Sequence, residues 1–371
     1  MLQEIAINLV ALPSVPIIGD PIQGLAPCSQ LRSLRNPLKL GGLCRRIRYF
    51  FPTTRPRGRF ASAIIPFGAS LSLSKLRISV VQYLNTAPLV RGFTFGPLKG
   101  KYDLSFTVPS QCAEALRAGA ADVAILPAIE LQRIPNLVIL PDLSIASKER
   151  VRSLLIVSKS PIREARSIAL DSSSRSTQAL TRILCDSRWL ITPEFSEANP
   201  DLATMLATCD AALLIGDPAL RMALAAEQHV APGRDGALVC TGAQIGLPQI
   251  SWVHIYDVVH EWWQLTERPA VLAVWAARPE IVTAEVAADF NASLAYGLAH
   301  LPEICAEAAR ELQLPEKELA LYLRTNIDYS LDAENLKGLN EFFAHAARLG
   351  LVPQANPISI FAAPRKIGTS H

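Results

Sequence analysis

A short apolar run, closed by a polar or proline-bearing turn and followed by residues at helical spacing, recurs along this chain. Residues 76–81 lead into Gln82-Tyr83-Leu84-Asn85-Thr86-Ala87-Pro88, residues 102–108 into a short helix opening at Pro109-Ser110 and ending at Gly119, and residues 121–127 close on Pro127. Strands separated by helices need crossover connections, so the pattern predicts parallel βαβ units in an α/β fold. Polar groups where such strands end commonly face a ligand, which makes Asn85 a site candidate beside its simpler reading as a turn-stabilising amide. Ser110 reads as the cap of its helix.

The same pattern returns at residues 167–184. A strand-like Ser167-Ile168-Ala169-Leu170 meets Asp171-Ser172-Ser173-Ser174-Arg175-Ser176-Thr177, and residues 180, 183 and 184 then share a helical face. Uncommitted N–H groups at a helix start, several hydroxyls and one guanidinium make a cradle for a carboxylate or phosphate. The plainer reading is that Ser and Thr only cap the helix. Asp217, after the run 211–215, reads first as a cap in the same way.

Between these stretches lie an apolar run at 137–140, a loop at 141–153 and an apolar run at 154–158, after which Lys159-Ser160-Pro161 breaks the pattern. The expected organisation is a first lobe over 76–160, a second over 161–262 entered by a crossing at about 158–165, and a return to the first over 263–351. The return carries a strand at 271–275 and helices, one of them with Leu336, Leu339, Phe343 and Ala347 on one face. Residues 352–371 read as a tail. A cleft between two lobes is a usual place for a small ligand.

Residues 1–75 carry ten Lys or Arg against Glu4 and Asp20, with frequent prolines and no sustained period. They read as a disordered extension, or as lying before a translation start near residues 71–76. The remaining 26 basic and 31 acidic residues leave the body at −5, which argues against a nucleic-acid partner. No apolar run approaches the ~18 residues of a membrane span. Seven cysteines without a C-x-x-C pair read as buried thiols in a reducing, cytoplasmic setting. His254, His260 and Glu261 fit no common metal-ligand spacing.

Taken in order, Tyr83-Leu84-Asn85-Thr86-x-Pro88-Leu89, Pro109-Ser110, Val151-Arg152-Ser153, the 171–177 loop, Leu214-Ile215-Gly216-Asp217-x-Ala219-Leu220, Tyr256-Asp257 and Ala273-Val274-Trp275 resemble the chorismate dehydratase family over residues 76 to about 351. The resemblance implies a two-lobed fold like that of type II periplasmic binding proteins. It implies loss of water from chorismate to give 3-[(1-carboxyvinyl)oxy]benzoate on the futalosine route to menaquinone, without a cofactor or metal. Asn85 and Ser153 resemble the catalytic pair. Ser110, Ser173, Ser174, Arg175, Ser176 and Thr177 would hold substrate carboxylates, with Asp217 and Asp257 as further site residues. The sequence departs from the family at Ser147-Lys148-Glu149-Arg150, at Val258-Val259 and at Glu267-Arg268, each where a glycine is usual. A non-catalytic solute-binding module of the same fold is the alternative. A related synthase acting later on the same route is disfavoured by the absence of its N-D-T segment.

Overall fold

The computed structural model describes residues 75–362 apart from 230 and 233–235. The extension expected up to residue 75, and the tail beyond 362, therefore lie outside the described residues except for Lys75. In the first lobe, β1 (Arg77–Val81) passes through a 3-10 turn (Leu84–Thr86) and α1 (Ala87–Thr94) to β2 (Asp103–Thr107). The helix α2 (Pro109–Arg117) then leads to β3 (Val123–Pro127), and both β2 and β3 pair with β1 in parallel as the alternation predicts.

Two differences from the expected layout follow. The strand β4 (Val138–Ser147) runs through the stretch read as a loop, because Pro141 and Asp142 (φ 67°) form an interruption that its partner strand absorbs as register shifts. The crossing between lobes lies at 148–153, before β5 (Leu154–Ser158), because β5 pairs antiparallel inside the second sheet. All five residues of β5 are buried, and a continuously apolar run carries no mark of the sheet that holds it.

The second lobe continues with β6 (Ser167–Asp171), α3 (Arg175–Leu184), β7 (Glu194–Ala198), α4 (Leu202–Thr208), β8 (Ala211–Ile215) and α5 (Gly216–Glu227). After β9 (Ala231–Pro232), β10 (Leu238–Thr241), β11 (Trp252–Asp257) and α6 (Val258–Thr266), the chain returns as β12 (Ala270–Ala277) to the first sheet. The sheet orders are β2-β1-β3-β12-β4 and β7-β6-β8-β5-β11-β10-β9. The strands β3, β5, β8 and β12 are buried throughout, as strands covered on both faces must be. The remainder is helical: α7 (Ala284–Ala299), α8 (Leu301–Leu312), α9 (Glu316–Leu321) with a π turn at Tyr322–Asn326, and α10 (Ala333–Arg348). Leu339 and Phe343 of α10 are buried as expected. Cys112, Cys185, Cys209, Cys240 and Cys305 are free and buried.

Two of the departures from the family pattern lie where the chain passes between the lobes. The first crossing is tied down by Ser147 Oγ and Asn326 Nδ2, both donating to the Arg150 carbonyl at 2.9 and 3.1 Å. At the second, Glu267 caps α6 in the left-handed conformation at φ 53°. A side chain there crowds the backbone, so Glu267→Gly is expected to stabilise the protein by ~1 kcal/mol in urea denaturation. An unchanged midpoint would show that the Glu267 side chain offsets that crowding.

Candidate functional site

The carboxyl ends of β1, β3 and β8 meet the starts of α3 and α5 between the lobes, the usual ligand position in open α/β sheets. Val81, Asn85 and Pro127 from one side and Leu154, Ser174, Thr177 and Gly216 from the other line a cavity of about 50 Å³. Small-ligand pockets begin at roughly 300 Å³, so the lobes are drawn together here. Gly216 permits that approach. It stands at φ 70°, and a Cβ at that position would lie 2.7 Å from the Tyr83 ring.

The 171–177 loop is built as a helix start. Asp171 Oδ1 accepts from Ser173 N at 2.9 Å and Ser173 Oγ at 2.6 Å, which closes the turn. Ser174 is the N-cap of α3 in extended conformation, and its hydroxyl meets that of Thr177 at 2.9 Å. The same loop also latches the first lobe. The Ser110 N–H donates to the Ser173 carbonyl at 2.9 Å, and the Ile129 N–H to Ser176 Oγ at 3.1 Å. Arg175, expected to face a substrate anion, instead reaches Glu114 at 2.6 Å and the fully buried Glu130 at 3.3 Å. Ser110 is the second residue of α2 and does not cap it, because Pro109 takes the first helical position and moves the cap to Val108.

Asp217 does not cap its helix as expected. Asp217 lies one residue inside α5 and accepts the Leu84 N–H across the cleft at 3.1 Å, while Ile215 is the N-cap. Burial pushes its pKa up from 3.8 to about 6, against the pull of that N–H. The folded chain thus holds this proton more tightly than the unfolded one, and stability falls as pH rises from about 4 to about 6, by roughly 3 kcal/mol in all. Asp217→Asn keeps an acceptor for Leu84 and loses the titration. It is expected to gain ~1–3 kcal/mol over the parent near pH 7.5 and nothing near pH 4 in urea melts, and an equal gain at both would refute this assignment. Asp257 caps α6 by accepting from Val259 and His260, and it also holds the backbone of Val151 and Arg152.

Ser153 is held by a residue that sequence reasoning missed. Tyr322, 1% exposed at the start of the π turn, donates its hydroxyl to Ser153 Oγ at 2.9 Å, and Asn85 stands near the same phenol. Burial, before any other influence, holds the pKa of Tyr322 well above the ordinary tyrosine value. Asn85 Oδ1 accepts from Thr86 Oγ1 at 3.3 Å. The signal for Tyr322 would have been a tyrosine amid helical apolar residues, since a buried phenol needs a polar partner.

A family model described as menaquinone biosynthesis matches residues 76–348. A chorismate dehydratase of Thermus thermophilus is 28% identical over 282 residues, covering 76% of this chain and 98% of that protein. Among solved structures, a protein of Archaeoglobus fulgidus aligns with a TM-score of 0.57 at 16% identity, over 75% of this chain and 98% of its own. The alkanesulfonate-binding protein SsuA of Xanthomonas axonopodis pv. citri, bound to MOPS, aligns at 0.53 and 16% identity, over 78% and 98%. At those identities the two structures bear on fold alone, and the fold is that of the two-lobed periplasmic binding proteins.

Proposed function

The chain belongs to the menaquinone biosynthesis family, and on that premise we propose that it is a chorismate dehydratase, a hydro-lyase that converts chorismate to 3-[(1-carboxyvinyl)oxy]benzoate. The observation that carries this reading is the buried Tyr322–Ser153 hydrogen bond beside the interlobe cleft that Asn85 lines. A solute-binding module needs donors for its ligand's charges; it does not need a second, internally braced donor pair away from them.

Chorismate carries two carboxylates. The start of α3, with Ser173, Ser174, Ser176 and Thr177, suits one of them, and the start of α2 with Ser110 suits the other. Admitting the substrate requires the latches at Ser110, Ser176 and Arg175 to open and be remade around it. The proton lost from C3 is acidified through the C1–C2 double bond by the ring carboxylate, so the electrons it leaves spread onto that group. The C4–O bond then breaks and the ring becomes aromatic. Asn85 and Ser153 donate hydrogen bonds to the departing C4 oxygen, each such donor contributing on the order of ~3 kcal/mol.

The base in this reading is the substrate's own enolpyruvyl carboxylate. It takes the C3 proton and returns it to the departing hydroxide, so that water leaves and the carboxylate is restored. The motive for this assignment is that the Asp217 carboxylate is tied to Leu84 and that of Asp257 to four backbone N–H groups. A loss of more than about 10³-fold in turnover on Asp217→Asn, with folding intact, would return the role to the protein.

Incubation of purified protein with chorismate, followed by mass spectrometry for a product lighter by one water, tests the function. No product at high enzyme concentration would leave a binding module. The free cysteines suit a reducing compartment, and we place the enzyme in the cytoplasm. Cell fractionation that recovers it outside the cytoplasm would remove that placement.

A further inference from the structure

We propose that Tyr322 is a positioning residue that fixes the direction in which Ser153 donates its hydroxyl proton, and so the polarity of the donor pair offered to the leaving oxygen. The inference rests on the elimination described above.

The direction follows from counting protons. A serine hydroxyl has one proton and two lone pairs. Ser153 Oγ accepts from the Tyr322 hydroxyl at 2.9 Å, so its own proton is left for another partner. On the other side, Asn85 Oδ1 accepts from Thr86 Oγ1, which leaves the N–H groups of the amide as its donors. Each bond runs one way, from Thr86 to Asn85 and from Tyr322 to Ser153. What each acceptor has left to give, the N–H of Asn85 and the O–H of Ser153, is a donor. A departing hydroxide needs donors, whereas a Ser153 that donated to Tyr322 would meet it with lone pairs.

Tyr322 does not supply a proton itself. Burial and the charge of Asp217 oppose a phenolate at this position. Its place at the mouth of a π turn fits a residue set by local widening of a helix, a feature frequent at functional sites. Ser153 lies on the crossing between lobes, and Tyr322 on the C-terminal helices of the first lobe. The contact therefore braces the crossing where the reacting hydroxyl sits.

The test is a double-mutant cycle on chorismate turnover with wild type, Tyr322→Phe, Ser153→Ala and the double variant. Tyr322→Phe keeps the ring and removes one oxygen, and kcat is expected to fall about 10- to 100-fold with KM within about threefold. If the effect passes through Ser153, the double variant should be no slower than Ser153→Ala by more than about twofold. A Tyr322→Phe penalty undiminished on the Ser153→Ala background would assign Tyr322 to the fold alone and overturn the proposal, as would a Tyr322→Phe enzyme as fast as wild type. Should Tyr322→Phe fold poorly, 3-fluorotyrosine at 322 keeps the phenol and makes it a stronger donor. It should shift kcat by about twofold or more on the wild-type background and leave Ser153→Ala unmoved, and no shift on either overturns the proposal. A wild-type enzyme that does not turn chorismate over would remove the dehydratase reading and this inference with it.

Discussion

Asn85→Ala is expected to lower chorismate turnover by about 10²- to 10³-fold while leaving KM within about fivefold, measured by product formation under saturating substrate. Asn85 sits in the single 3-10 turn at the carboxyl end of β1, and it is only partly buried. Its side chain carries no backbone bond of that turn, which is closed by Thr86 N donating to the Tyr83 carbonyl at 3.0 Å. The fold should therefore tolerate its loss, with a stability change under about 1 kcal/mol. In the proposed mechanism, the donor that faces the departing oxygen goes with it. Asn85→Asp is the harsher change, because it puts an anion where the reaction develops negative charge. An Asn85→Ala enzyme within tenfold of wild type would confine this residue to shaping the turn.

The architecture was legible because its signals are local and repeated. The runs 76–81, 121–127 and 167–170 each end on polar or proline residues and each is a strand, and the loop 171–177 is a helix start, although the Ser174 hydroxyl meets Thr177 and does not cap the helix backbone. What escaped was placement between lobes. The run 154–158 is apolar on both faces, and such a run fits the centre of either sheet, so the sequence pattern puts the crossing one strand too late. The 141–147 stretch was lost to Pro141 and Asp142, which interrupt pairing without ending the strand. Asn85, Ser174 and Thr177, each marked in the sequence by a strand end or a helix start, line the interlobe cavity. Arg175 reads as free for a substrate because its partners Glu114 and Glu130 belong to another lobe, distant in the chain, where spacing gives no hint of them. Tyr322 carries no mark in the sequence because it stands in a helical segment and reaches Ser153 only through the return of the C-terminal helices.

Asp257→Ala is expected to cost about 3–5 kcal/mol of stability in urea denaturation, the largest stability loss among the site residues. Its carboxylate is almost completely buried, and four backbone N–H groups surround it. Oδ1 takes Val259 N at 3.0 Å and His260 N at 3.1 Å, and Oδ2 takes Val151 N at 3.1 Å and Arg152 N at 2.6 Å. Burial pushes its pKa up against those donors. Loss of the cap on α6 accounts for ~1 kcal/mol, and two stranded N–H groups on the crossing add ~1–2 kcal/mol each. Asp257→Asn is not a mild substitute, since an amide nitrogen would face N–H donors where an oxygen now accepts. The stranded groups matter beyond stability. Arg152 stands in the left-handed conformation at φ 66°, a backbone state that persists only while its surroundings enforce it. Its side chain is pinned to Glu227 and, at 3.1 Å, to Glu318, and Ser153 follows directly. Releasing the Arg152 N–H should let this segment relax and carry the Ser153 hydroxyl off Tyr322, so the folded fraction of Asp257→Ala should turn chorismate over at the rate of Ser153→Ala. If it retained wild-type turnover per folded molecule, the carboxylate would be only a helix cap.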